Sequence, residues 1–175
     1  MAAVDTRKFL GIYLNDHLAG ASGGVELARR TARAHRGSAD GEQLSQLAAD
    51  IAADRAALLA IMRSLNIPVR WYKNLAGWAA EKAARLKFNG RVLSRSPLSD
   101  LVELDGLLMA VQGKAAGWRT LLAILGQDPG LDAGQLRDLL SRADAQLSVL
   151  EELRMAAAER LSGRADRTAS GPVSR

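Results

Sequence analysis

Cysteine is absent from this 175-residue chain, which excludes disulfides, thiolate metal sites and cysteine nucleophiles together and fits a reducing compartment. Histidine occurs twice, at 17 and 35, too rarely for a histidine-rich metal centre. Aromatic residues make up 4% against 48% apolar residues, so leucine and alanine must build the core. No apolar run approaches the ~18 residues needed to cross a bilayer, and no cationic segment followed by an apolar run opens the chain. Period-two alternation and β-branched clusters are also missing, which argues against strands. These absences predict a soluble cytoplasmic protein, all-α, with one domain over 1–163 and a disordered polar tail over 164–175.

What remains is helical periodicity almost throughout. The first helix is expected to start after an Asp5 cap and reach about Ala34. After the turn "RGSADG", Asp40 and Gln43 stand at capping-box spacing. They open a second helix whose apolar face holds Leu44, Leu47, Ile51, Leu58, Met62 and Leu65. Asn66-Ile67-Pro68 breaks the chain. A shorter helix is expected over about 68–87. Ser96-Pro97 reads as a cap plus a first-turn proline for a fourth helix to about Leu125. Its apolar stripe runs through Leu104, Leu108, Val111, Ala115, Trp118, Leu122 and Leu125. Asp132 and Gln135 cap a fifth helix, stapled by Leu131 and Leu136 and ending near Leu161. Four helices of ~36–45 Å (1.5 Å per residue) with a shorter one between two hairpins suit an antiparallel four-helix bundle with a crossover helix.

The stretch "FLGIYLNDHLAGASGGVE" (9–26) is the first candidate for chemistry. Leu10, Leu14, His17, Ala21, Gly24 and Ala28 share one helix face, so His17 points inward. Gly20, Gly23 and Gly24 each cost the helix ~0.8–1 kcal/mol relative to alanine, and close approach by a neighbouring helix or by Trp118 is the expected compensation. Spacing and context exclude a phosphate loop, since no Gly-x-x-x-x-Gly-Lys-Ser/Thr follows a strand. Asp54 and Arg55 interrupt the apolar stripe of the second helix at the level of His17. A buried His17–Asp54 hydrogen bond, or an Asp54–Arg55 pair at the stripe's edge, is the expected way to satisfy them. The alternative is a small-ligand or metal pocket around His17 and Asp54.

The net charge of +5 is unevenly placed. Residues 67–98 hold 7 basic and 1 acidic side chains, whereas 99–163 hold 6 basic and 10 acidic ones. Within the basic block, Arg70, Trp71, Lys73, Trp78, Lys82, Arg85, Lys87 and Arg91 interleave cations with aromatics. That combination suits a single-stranded nucleic acid or an anionic membrane surface. It equally suits a crossover helix whose charges face solvent and the acidic Glu151, Glu152 and Glu159.

The order long, long, short, long, long resembles the ferritin-like bundles in layout, over residues 6–162. Members of that superfamily place Glu-x-x-His pairs on two helices, but Leu14 precedes His17 and Ala32 precedes His35 at that spacing. The resemblance therefore brings no metal ligand, and no cofactor is expected. The wording "YLNDHLAG", "GRVLSRSPLSDLVELDGLL" and "VQGKAAGWRTLL" is similar to a set of small bacterial proteins without an assigned activity. With no cysteine, and no hydroxyl beside a histidine, the sequence leans away from catalysis. It points instead to self-association, a homo-oligomer, or a protein partner.

Overall fold

A computed structural model describes residues 2–70, 97–124 and 130–169, with side chains over 7–70, 98–124 and 130–162. Four helices, and no strands, make up these residues: α1 (Ala2–Ala34), α2 (Gly41–Ser64), α3 (Pro97–Ala123) and α4 (Ala133–Ala169). The core joining them is built largely of leucine and alanine, with Leu107, Leu121, Leu136 and Leu150 wholly buried. All six apolar positions expected on α2 are buried. On α3 the expected stripe is widened by Leu107 and Leu121, so this helix buries two adjacent rows.

Helix boundaries follow local chemistry. Asn66 adopts φ 53°, its amide donates to the Arg63 carbonyl at 3.0 Å, and the Ile67 amide donates to the Met62 carbonyl at 2.8 Å. This is a Schellman stop with asparagine in the left-handed position, and buried Ile67 and Met62 supply its usual apolar partners. Asp132 caps α4 as expected, its Oδ1 accepting from the Gly134 amide at 2.7 Å. Asp40, the expected cap of α2, makes no side-chain cap bond. Its carboxylate turns instead to Arg160 on α4, at 2.9 Å.

Three boundaries differ from expectation. Helix α1 begins at Ala2, so Asp5 lies within it. Helix α4 continues to Ala169, past the expected end near Leu161 and into the segment expected to be disordered. Gly163 is tolerated there because no proline interrupts the run. Residues 67–70 are not helical, so the short helix does not begin at 68; the rest of it lies outside the described residues.

Helix α1 is continuous through Gly20, Gly23 and Gly24, but the expected compensation is not the one found. Gly20 has no atom within 4 Å of where a Cβ would stand, and Gly24 meets only the Ala110 Cβ, at an ordinary 3.5 Å. Gly41 is pressed against the His35 carbonyl in the turn before α2, and the tight seats between helices are on α3, where they receive α1 side chains. A Cβ on Gly117 would lie 2.7 Å from His17 Cδ2, and one on Gly106 would lie 3.1 Å from Leu27 Cδ2. Trp118 is buried in the core and does not cover the α1 glycines; its indole nitrogen has no hydrogen-bond partner.

These contacts set opposite signs for two glycine replacements. Gly20→Ala should stabilise the fold by about 0.8–1 kcal/mol through helix propensity alone. Gly117→Ala should destabilise it, because overpacking costs ~1–3 kcal/mol and exceeds the same gain. In a His17→Ala background the Gly117→Ala effect should become stabilising, as read by urea denaturation of the four chains.

Candidate functional site

The centre of the structure is polar. Asp54, 1% exposed, projects from α2 among apolar neighbours where a lone carboxylate would be prohibitively desolvated. Two other helices supply its partners. Lys114 of α3 donates from Nζ to Asp54 Oδ2 at 2.5 Å. Arg142 of α4 donates from Nε to Oδ1 at 2.6 Å, with Nη2 at the same distance. Gln146 of α4 donates from Nε2 to Oδ2 at 2.9 Å, while its Oε1 accepts from Lys114 Nζ. The last bond fixes the amide's orientation, because only its oxygen can accept the ammonium proton. Asp54, Lys114 and Gln146 thus close a ring across three helices.

Burial holds the Lys114 ammonium below its usual pKa, the attraction of Asp54 opposes this, and Arg142 adds a further lowering. The ring resembles a proton-transfer pair in composition, but Nζ points at Asp54 and Gln146 and the lysine is only 12% exposed. Four N–H contacts occupy the Asp54 carboxylate, whose two oxygens offer about four acceptor positions. The arrangement binds helix to helix, and its polar atoms are consumed in doing so.

His17 lies elsewhere. Its Nδ1 donates to the Tyr13 carbonyl at 3.1 Å, its ring tilts against the Tyr13 ring with centroids 4.2 Å apart, and its Cδ2 edge rests on Gly117. The expected His17–Asp54 bond is therefore replaced by two separate arrangements, as is the Asp54–Arg55 pair. Arg55 donates from Nε to Ser22 Oγ at 2.9 Å, which uses the hydroxyl in the glycine patch. Among the described residues no group of three or more His, Asp or Glu is placed to hold a metal ion.

Sequence reasoning passed over Asn15. This buried side chain donates from Nδ2 to the carbonyls of Gly11 and Pro68, at 2.8 and 3.1 Å, and accepts the Arg70 amide on Oδ1 at 2.7 Å. An amide that offers a donor and an acceptor to alternate peptide groups grips the non-helical 67–70 segment as a neighbouring strand would. Arg7 adds a bond from Nη2 to the Leu65 carbonyl at 2.6 Å. The signal available in the sequence was a short polar side chain on the buried face of α1, one turn above Gly11.

Of the basic and aromatic candidates, Arg70 is exposed and tied to Asn15 through its backbone. Trp71, Lys73, Trp78, Lys82, Arg85, Lys87 and Arg91 lie outside the described residues. No helix among the described residues is long and apolar enough to cross a membrane. No protein-family model, curated protein or solved structure matches this chain.

The Lys114 shift has a definite sign in stability. With the folded pKa below the ordinary 10.5, the unfolded chain binds more protons in the interval between the two values. Stability due to this group therefore rises with pH across that interval. Urea denaturation should show wild type gaining on Lys114→Met as pH climbs toward 10.5; a wild-type disadvantage that grows with pH would contradict the assignment.

Proposed function

We propose that this chain is a non-catalytic helical-bundle protein of the cytoplasm that acts through association, with itself or with a protein partner. The observation that carries this reading is the cluster around Asp54, where Lys114, Arg142 and Gln146 spend their bonds on that carboxylate and on one another across helices. At the surface the balance reverses, with Met109 65% exposed and Met155 47% exposed. Methionine is adaptable and is over-used at binding surfaces.

The same reading includes the finer architecture of antiparallel neighbours with a crossover between α2 and α3, the ferritin-like layout. Its support is the order of contacts. Along α1 and α3, His35 meets Asp100, Arg30 meets Glu103, Gly24 meets Ala110, and Tyr13 meets Thr120. Along α2 and α4, Asp40 meets Arg160, Asp54 meets Arg142, and Ser64 meets the Gly130 carbonyl. In both series one number rises as the other falls. A bundle of this connectivity without the superfamily's ligand pairs is suited to presenting surfaces.

Native mass spectrometry of the untagged chain tests the functional reading. The expected masses are whole multiples of the chain, or the chain plus another protein. A stoichiometric metal or small-molecule adduct that disappears in Asp54→Asn or His17→Ala would contradict it.

A further inference from the structure

Between the outer faces of α3 and α4 lies an open groove of about 610 Å³. Leu108 and Leu147 form its half-buried floor, Met155 lies along it, and Gln112, Glu151 and Glu152 edge it. The two charged residues that line the groove, Glu151 and Glu152, are both acidic and both exposed. Asp105 and Asp144 on these helices are exposed as well, and each has an arginine near it, Arg154 and Arg119. Both arginines are already engaged, Arg119 with Asp144 at 3.4 Å and Arg154 with Glu151 at 2.6 Å and Asp105 at 4.0 Å. The Arg154 hydrogen bond draws the Glu151 carboxyl below its ordinary pKa, so it stays ionised. Glu152 has no ion-pair partner among the described residues.

We propose that this groove receives a basic amphipathic helix of a protein partner, its apolar face on Leu108, Leu147 and Met155 and its cations beside Glu151 and Glu152. The proposal rests on the association reading above and names the partner's chemistry. An apolar floor with thioether flexibility accepts helical side chains spaced three and four residues apart. The acidic edge selects sign: a basic helix gains attraction and a faster encounter, and an acidic helix of the same shape is repelled.

The test uses the full chain and two fluorescein-labelled synthetic helices with identical leucine positions, one carrying lysine and the other glutamate at the polar positions. Anisotropy should show the lysine peptide binding, more weakly as salt rises, and the glutamate peptide failing to bind. Glu152→Lys and Met155→Asp, both at exposed positions and so compatible with folding, should each weaken binding at least tenfold. Glu42→Lys on α2 should leave it unchanged. Equal binding of both peptides, or unchanged binding in the two groove variants, would overturn the proposal. A dimer by native mass that is lost in Met155→Asp would overturn it in favour of a second copy as the occupant. A dimer that persists in Met155→Asp, with no peptide binding, would remove this groove while leaving the association reading standing; a stoichiometric small-molecule or metal adduct would remove that reading itself.

Discussion

A carboxylate buried at the centre of an apolar bundle constrains everything around it. Asp54 can be satisfied there only if donors reach it, and Arg55, the cation in its own turn of α2, is engaged with Ser22 instead. Lys114, Arg142 and Gln146 come from α3 and α4, so the side chain is satisfied only when three helices are in register. The net stability from such a cluster is modest, because desolvation offsets most of the attraction. Its asymmetry is what matters: apolar packing tolerates sliding by a fraction of a turn, whereas a slipped helix would leave a buried charge without a partner. Leucine and alanine supply the bulk of the driving force, and the polar ring supplies the reference point.

The remaining helix, α1, is held by different means. Helix α1 meets α3 through steric seats, His17 on Gly117 and Leu27 near Gly106, and through Thr31 and Arg30 at Glu103. It meets the end of α2 through Asn15 and Arg7, which fasten residues 65–70 across it. Residues 65–70, leaving α2, are thereby held along α1. An ionic centre and a steric flank divide the work of fixing the bundle, and neither needs a ligand to be complete.

Periodicity made the helices legible because leucine-rich stripes leave little ambiguity: Leu44 through Leu65 on α2 all face inward. Asp132 was legible for a similar reason, since orphan amides are a local need met by a local residue. The break at Asn66-Ile67-Pro68 was legible from its proline, although the helix is stopped by Asn66 in the left-handed region. Asp40 looked identical to Asp132 in sequence, but a cation from α4 competed for its carboxylate, and nothing near residue 40 announces Arg160. The glycines of α1 drew attention for their density. The glycine that proved tightest against another helix, Gly117, lies in α3 and is explained only by a ring from α1. Asp54 was identified as an interior polar group, yet its partner was sought by level along one hairpin. The partners that won are 60 to 92 residues distant, a separation no spacing rule reports.

The account's central claim is that Asp54 and its partners act as one cross-helix unit. A double-mutant cycle between Asp54→Ala and Gln146→Leu, followed by urea denaturation, measures that coupling directly. An interaction energy of roughly 0.5–3 kcal/mol is predicted for residues bonded in one network. Additivity within about 0.3–0.5 kcal/mol, the behaviour of independent sites, would contradict it.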